Sequence, residues 1–213
     1  MQVAMFTVGQ VQENCFLFRQ DGAARAVLVD PGDEPDRILG AVAELGLTVE
    51  AVLLTHTHFD HVGAVAPVAR ATGAEVWVPE LEKPVLADIN RYQPFPGIGP
   101  FESYDAEHTI SGGEKLELAG FEIDVLFTPG HSPGHVTYAI ADEQALFSGD
   151  VLFQGSVGRT DLPGGDWDTL LGSIRTLVDS YPEDTAVFPG HMGTTTLGRE
   201  RATNPFLVEL ARG

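Results

Sequence analysis

Thr55-His56-Thr57-His58-Phe59-Asp60-His61 is the most informative segment of this sequence, because it brings three histidines and an aspartate into seven residues. It follows an apolar run at residues 49–54, which is typical of a buried central strand. In an extended chain residues i and i+2 project to the same side, so His56 and His58 can bind one metal ion together. Asp60 and His61 point elsewhere once the chain turns into a helix, and there they can reach a second ion. An alternative role for Asp60 is to cap a helix that begins at Val62.

Three further strand ends carry side chains that can bind metals, each placed directly after a glycine. The motifs are Thr128-Pro129-Gly130-His131, Phe147-Ser148-Gly149-Asp150 and Phe188-Pro189-Gly190-His191. Glycine lets the backbone turn sharply and approach a neighbour closely. Neutral imidazoles suit zinc, iron or manganese, and a carboxylate can bridge two such ions. Because the first cluster cannot fill two coordination spheres, we expect these strand ends to complete them.

The composition excludes several classes of protein. The 213 residues include 12 Lys and Arg against 31 Asp and Glu, and the formal net charge of −19 disfavours binding to nucleic-acid phosphates. Cys15 is the one cysteine, so the chain has no disulfide framework and we expect a buried, inert thiol. No apolar run approaches the ~18 residues of a membrane span, and residues 1–12 do not resemble a secretory signal. We therefore expect a soluble cytoplasmic protein without a nucleic-acid or membrane partner.

Apolar patterning divides the chain into short strands and amphipathic helices. Strands are expected at residues 15–18, 26–29, 49–54 and 75–79, and later at residues 115–118, 121–127, 136–140, 145–147 and 186–188. Helices are expected from Pro35 to Gly46 and at residues 62–71, 81–88, 167–180 and 200–211, the last one interrupted at Pro205. A loop at residues 89–104, rich in proline and glycine, separates two halves at about residues 1–100 and 105–213. The pattern predicts one α/β domain, residues 1–213, with two sheets packed face to face and helices outside.

The motifs resemble those of the metallo-β-lactamase superfamily, over nearly the whole chain from Val29-Asp30-Pro31-Gly32 to His191. The resemblance implies an αββα sandwich of two mixed β-sheets, with helices on both outer faces and a metal centre along one edge. It implies two divalent metal ions, with zinc favoured and iron or manganese as alternatives. The ligand set that it implies is His56, His58 and His131 for one ion, Asp60, His61 and His191 for the second, and Asp150 as a bridge between them.

Within that superfamily the sequence looks most like the small bacterial glyoxalase II-like hydrolases. The stretches that carry this similarity are TPGHSPGH at residues 128–135, residues 148–165, and GRERATNPF at residues 198–206. The resemblance implies hydrolysis of a small-molecule thioester, with S-lactoylglutathione as the model substrate. Two metal ions would generate a hydroxide near neutral pH and stabilise the oxyanion, while Asp60 and Asp150 orient the hydroxide and Asp60 accepts its proton. Hydrolysis of β-lactams is disfavoured, because many lactamases have a cysteine where Asp150 stands.

Persulfide dioxygenases are the alternative class, since they resemble this chain and share a Gly-Arg-Thr-Asp segment like residues 158–161. Their single iron would be held here by His56, His131 and Asp150, the facial arrangement of two histidines and one carboxylate. The number of metal ions bound per chain separates the two classes.

Substrate recognition is expected outside the ligand set. Arg159 can hold a substrate carboxylate in a bidentate fork, although a surface ion pair explains it equally well. His135 either orients a ligand or the substrate, or makes a purely structural hydrogen bond. Full-length glyoxalase II enzymes use a helical C-terminal domain for glutathione, and the short chain after His191 leaves recognition to other loops or to a homodimer with shared clefts. His108 is expected to be exposed, and Asp30 either braces the ligand loops or forms a turn.

Overall fold

The computed structural model describes residues 1–92 and 97–210, and its first half forms a six-stranded mixed sheet. Neighbouring strands follow the order of the chain across this sheet, with antiparallel pairing among the first three strands and parallel pairing from the third to the sixth. The strands are β1 (Gln2–Val8), β2 (Glu13–Arg19), β3 (Arg25–Val29), β4 (Thr48–Leu53), β5 (Glu75–Pro79) and β6 (His108–Ile110).

The second half forms another six-stranded mixed sheet, in the order β14-β13-β10-β9-β8-β7. Its strands are β7 (Lys115–Leu118), β8 (Phe121–Phe127), β9 (Val136–Ile140), β10 (Ala145–Gly149), β13 (Ala186–Pro189) and β14 (Thr195–Thr196). β10 and β13 pair in parallel, whereas β8, β9 and β10 alternate in direction, so β8, β10 and β13 all end at the same edge. A small two-stranded ribbon joins β11 (Leu152–Phe153) to β12 (Ser156–Val157).

Helices cover the outer faces of both sheets, which confirms the predicted αββα sandwich. They are α1 (Pro35–Glu44), α2 (Phe59–Val62), α3 (Val65–Thr72), α4 (Lys83–Ala87), α5 (Ile89–Tyr92), α6 (Trp167–Ser180), α7 (Leu197–Thr203) and α8 (Pro205–Leu210), with short 3-10 turns at Glu80–Glu82 and Ala141–Glu143. Three apolar layers result. One lies between the sheets around Phe18 and Phe147, and the others lie between each sheet and its helices, around Ile38 and around Ile174.

The longest helix, α6, shows how the sequence produces this layering. Its first turn is capped by Asp166, whose side chain accepts a hydrogen bond from the Thr169 backbone N–H at 2.8 Å. Leu170, Ile174 and Leu177 recur at helical spacing and are all buried, so one face of the helix packs on the second sheet.

The structure differs from the predicted elements at several places. β1 is an edge strand that the sequence does not predict, because it is partly exposed and its alternation is weak. The helix expected at residues 62–71 is two helices, since Gly63 N–H closes α2 on the carbonyl of Phe59, whereas Ala64 N–H bonds the carbonyl of Pro31 instead of continuing the helix. Asp60 lies inside the first turn of α2 and caps neither helix, so the capping alternative is wrong.

The seam between the two halves also lies elsewhere. Residues 89–92 form α5, residues 93–96 of the expected loop lie outside the described residues, and β6 still belongs to the first sheet. The chain therefore passes from one sheet to the other between Ile110 and Lys115. The helical tail matches α7 and α8, except that Ala211 lies outside the described residues.

Two further predictions concern the exposure of side chains outside the expected ligand set. Cys15 is completely buried, as expected. His108 is half-buried rather than exposed, because its ring stacks on Trp77 and its Nε2 lies 2.7 Å from a Glu75 carboxylate oxygen. None of the helices within residues 1–92 and 97–210 has the length and apolar character needed to cross a bilayer.

Candidate metal centre

Four strand ends meet at one edge of the sandwich and carry all seven expected ligand residues. β4 leads into the 55–61 stretch, and β8, β10 and β13 lead into His131, Asp150 and His191. Backbone hydrogen bonds tie these ends together: Val136 N–H to Thr55 O at 2.9 Å, and Gly190 N–H to Gly149 O at 2.9 Å. These bonds link the candidate ligand loops both between the two sheets and within the second sheet.

Two of the predicted strand-end glycines are required at this edge. Gly149 has a φ of +48°, and a side chain there would meet the Thr55 hydroxyl and the His135 ring. Gly190 needs no unusual φ, but a Cβ on it would collide with the Asp150 carboxylate and the His61 ring. The expected sharp turn and close approach are both confirmed.

His56, His58 and His131 form the first group of candidate ligands. His58 Nδ1 lies 3.0 Å from His56 Nε2 and 2.8 Å from His131 Nε2. The other ring nitrogen of His131 donates to the carbonyl of Arg159 at 2.7 Å, so its proton sits on Nδ1 and its Nε2 lone pair faces the group. Three nitrogens thus converge on one point.

The tautomer of His56 is fixed in the same way. The Thr55 hydroxyl donates to Asp30 Oδ2 at 2.6 Å, which leaves its oxygen to accept from His56 Nδ1 at 3.0 Å. The Nε2 lone pair of His56 therefore also points into the group. Asp30 additionally accepts from Thr55 N–H and from His61 Nδ1, so its predicted role in bracing the ligand loops is confirmed.

Asp60, His61 and His191 form the second group. His191 Nε2 lies 3.2 Å from Asp60 Oδ2, and His61 Nε2 lies 3.8 Å from the same oxygen. Because His61 Nδ1 donates to Asp30 at 3.0 Å, its Nε2 faces the group as well. Ligand atoms of each group all lie within 4.8 Å of one another.

Asp150 lies between the two groups. One carboxylate oxygen is 3.4 Å from His61 Nε2, and the other is 3.4 Å from His131 Nε2 and 3.5 Å from His191 Nε2. The carboxylate therefore reaches both groups, as a bridging ligand must.

Burial and neighbouring charges lower the pKa values of some histidines of the site and raise those of others. Burial and the neighbouring His131 lower the pKa of His58 to about 4, and burial lowers the pKa of His56 well below its usual value. Burial also opposes a charge on His61, but the carboxylates of Asp150 and Asp60 outweigh it and raise the pKa of His61 well above its usual value. His56 and His58 are thus neutral near pH 7, whereas the neighbouring carboxylates favour a proton on His61.

The donor set fits two divalent cations. Within the described part of the chain, His61 Nε2 and Asp150 Oδ1 are buried without a hydrogen-bond partner, although they face each other across the site. In the first group the protons of His56 and His131 sit on the ring nitrogens that face away, so only His58 Nδ1 can carry a proton toward the other two rings. The converging lone pairs are therefore not all matched by hydrogen-bond donors. Imidazole and carboxylate groups arranged in this way suit zinc, iron or manganese.

Glu82 is a supporting residue that the sequence does not reveal. Its buried carboxylate accepts hydrogen bonds from the hydroxyls of Thr57 and Ser132, both at 2.7 Å, and from the backbone N–H of Gly134 at 2.9 Å. It thereby ties the 55–61 loop to the loop that carries His131. Nothing in its local sequence signals this role, because the residue is one of two glutamates in a short turn.

Glu13 is a second buried acidic residue near the centre that is absent from the predicted set, although its sequence position does carry a signal. It is a charged residue that opens strand β2, whose other residues up to Phe18 are all buried, and its carboxylate lies 3.8 Å from His61 Nδ1. Burial raises the pKa of Glu13 well above its usual range. Burial therefore disfavours a full negative charge on Glu13 beside the second group.

The two residues expected to bind substrate occupy different places. His135 is fully buried, its Nε2 accepts the Asp150 backbone N–H at 3.0 Å, and its Nδ1 lies 3.1 Å from the Thr128 hydroxyl. His135 therefore orients the backbone of the candidate ligand Asp150, which is one of the roles expected for it, and its substrate role stays a prediction. Arg159 is exposed and donates to both carboxylate oxygens of Asp161, at 2.6 and 2.7 Å, so its substrate role stays a prediction.

Comparison with known proteins shows the family to which this chain belongs. The profile of the Metallo-beta-lactamase superfamily matches residues 8–191, which include every expected ligand. The chain belongs to the metallo-beta-lactamase superfamily. Among curated members, hydroxyacylglutathione hydrolase GloC from Haemophilus influenzae is 37% identical over 209 residues, covering 97% of this chain and 98% of that protein.

Solved structures of superfamily members agree with this assignment. The BLEG-1 B3 metallo-beta-lactamase superposes with a TM-score of 0.90 at 38% identity, covering 97% of this chain and 99% of its own. TTHA1623 in a di-iron-bound form superposes with a TM-score of 0.84 at 42% identity, covering 96% of this chain and 100% of its own. The protein is thus a metallo-hydrolase of the superfamily, and a relative of the same fold is known with two iron ions bound.

Proposed function

We propose that this protein hydrolyses thioesters in the manner of glyoxalase II, with S-lactoylglutathione as the model substrate. The observation that carries the proposal is the Asp150 carboxylate, which lies within 3.5 Å of histidines from both ligand groups. Similarity to a hydroxyacylglutathione hydrolase over almost the full length of both chains supports the reaction class.

Two bound divalent cations, zinc or alternatively iron or manganese, would supply a hydroxide near neutral pH and stabilise the oxyanion that forms on the carbonyl. Asp150 would fix the positions of the two ligand groups relative to each other. Burial raises the pKa of Asp60, but His61 and His191 outweigh it and lower the pKa below its usual value. Asp60 is therefore ionised at neutral pH and able to accept the hydroxide proton.

The side chains around the centre favour direct attack by water over a covalent acyl-enzyme. Cys15 is completely buried, and burial raises the pKa of its thiol well above the usual value. The Ser132 hydroxyl donates to Glu82, and the Ser148 hydroxyl donates to the carbonyl of Leu152. Thiolate is a good leaving group, so a thioester also needs little help from a general acid.

The test is hydrolysis of S-lactoylglutathione by protein loaded with zinc, iron or manganese in turn. We expect turnover by the wild type and a loss of at least 100-fold in kcat in His58→Ala and Asp150→Ala, because each removes a candidate ligand of the cations that would activate the water. His108→Ala is the matched control, since His108 lies outside both groups. Equal rates in wild type and Asp150→Ala would refute the proposal.

The persulfide dioxygenase alternative requires one iron per chain on His56, His131 and Asp150. His56 and His131 belong to one candidate group, and an Asp150 carboxylate oxygen lies 3.4 Å from His131 Nε2. The complete second group favours the hydrolase, because a mononuclear enzyme leaves Asp60, His61 and His191 without a ligand role. Two metal ions per chain by elemental analysis would support the hydrolase. One iron with persulfide-dependent oxygen uptake would support the dioxygenase. The cytoplasmic location, the homodimer and the lack of nucleic-acid or membrane partners stay predictions.

A further inference from the structure

An apolar cleft opens directly beside the first ligand group. It has a volume of about 440 Å³, within the usual range for small-molecule sites. We call it the 81–92 cleft, and its wall includes His58, Leu81, Val85, Tyr92, Pro133 and Leu162. Because His58 belongs both to this wall and to the ligand group, whatever occupies the cleft lies next to the reacting bond.

The buried polar groups in the wall, Thr57, Glu82 and Ser132, are already engaged. Thr57 and Ser132 direct their hydroxyls to Glu82, and the Glu82 carboxylate also accepts the Gly134 N–H. A polar ligand group entering the cleft would lose its water without gaining partners from these side chains, which is costly, whereas a hydrocarbon chain needs no partners. The cleft therefore suits an apolar occupant.

The charged side chains around the cleft also favour an apolar occupant. Of the described residues that line this cleft and the two other clefts beside the centre, none is a lysine or an arginine. The second of these clefts, next to Asp60, adds Asp33 and Glu102. The guanidinium of Arg159 is already held by Asp161. A thiol carrying two carboxylates, such as glutathione, finds no cation in these walls.

We propose that the 81–92 cleft binds the hydrocarbon chain of the acyl group, so that the preferred substrates are thioesters of apolar acyl groups. This inference rests on the proposed thioester hydrolysis and deepens it. The acyl group is the fragment assigned to the cleft because a peptide thiol such as glutathione contains several amides, which need hydrogen-bond partners, whereas the Thr57, Glu82 and Ser132 groups of the wall are already paired.

The first experiment measures kcat/KM for acetyl, butanoyl, hexanoyl and octanoyl thioesters of N-acetylcysteamine, with S-lactoylglutathione alongside. Each methylene that enters the cleft should raise kcat/KM by about fourfold until the cleft is full. A flat series together with normal hydrolysis of S-lactoylglutathione would overturn this inference and leave the proposed function intact. No hydrolysis of any thioester would overturn both.

The second experiment places the chain in this cleft. Val85→Asp puts a charge into the wall and should lower the octanoyl-to-acetyl ratio of kcat/KM by at least tenfold. Val11→Asp is the matched control, because Val11 is exposed and lines the cleft next to Asp60 instead. We expect Val11→Asp to keep the wild-type ratio, and both variants are checked for native metal content. A ratio that falls in Val11→Asp but not in Val85→Asp would overturn the assignment.

Discussion

Replacing Glu82 by glutamine tests whether one buried carboxylate holds the two ligand loops together. Glu82 Oε1 accepts from the Ser132 hydroxyl and the Gly134 N–H, and Oε2 accepts from the Thr57 hydroxyl and more weakly from the Thr57 N–H at 3.3 Å. A glutamine amide can present its oxygen to one side only. In either orientation its NH₂ group faces a backbone N–H, while the hydroxyls can rotate to adapt.

The expected cost follows from this count. One backbone N–H that loses its acceptor costs about 1–3 kcal/mol, and the remaining bonds lose the strength that a charged acceptor gives them. We expect Glu82→Gln to lower the free energy of unfolding by about 3 kcal/mol. In a chain of this size that corresponds to a fall in Tm of roughly 6–12 °C.

The assay is urea unfolding of metal-depleted protein, so that loss of ligand binding does not contribute. Glu80→Gln is the matched control, because Glu80 lies two residues away, is exposed and accepts a hydrogen bond from Ser111. Its change should stay within about 0.5 kcal/mol. If the two variants unfold within about 0.5 kcal/mol of each other, Glu82 does not brace the loops.

Three further outcomes are expected. Stepwise acidification should release the cation of the second group first, because the raised pKa of His61 lets a proton compete with the cation there, whereas the pKa of about 4 keeps His58 neutral to much lower pH. The metal content after dialysis should fall from two ions per chain to one and then to none. Simultaneous release of both ions would contradict this prediction. Gly190→Ala should lower metal content and reduce kcat at least tenfold with the fold retained by circular dichroism, since its Cβ meets the Asp150 carboxylate. Gly172→Ala, with open space around it, should instead stabilise helix α6 by up to about 1 kcal/mol, measured by urea unfolding.

The positions of the candidate ligands could be predicted from the sequence because the motifs that carry them are local. An apolar run followed by glycine and a metal-binding side chain identifies a strand end without knowledge of its neighbours, as at His131 and His191. Strand ends of one direction meet at one edge, so the same pattern predicts that the ligand residues come together. The αββα layering follows for a similar reason, since the apolar face of α6 repeats with the helical period and that of β8 with the strand period of two.

The supporting residues could not be predicted, because their roles depend on distant contacts. Glu82 bonds residues 25 to 52 positions away, and an acidic residue in a turn is ordinarily exposed. Similarly, the break after Val62 depends on a hydrogen bond from Ala64 to Pro31, across the sheet edge. The role of His135 depended on which atom its ring would meet, and only the fold brings Asp150 N–H to it.

Glu82 also has a consequence for how selectivity in this protein can change. Its neighbours Leu81 and Val85 form part of the apolar wall, while its own carboxylate anchors the loops of His58 and His131. A mutation that displaces this turn would therefore shift the ligands along with the wall. Evolution toward a new acyl preference should exchange the side-chain tips at Leu81 and Val85 and leave the backbone between them in place. Insertions or deletions that widen this wall should also displace the ligand loops, so we expect them to lower the affinity for metal ions before they change the acyl preference.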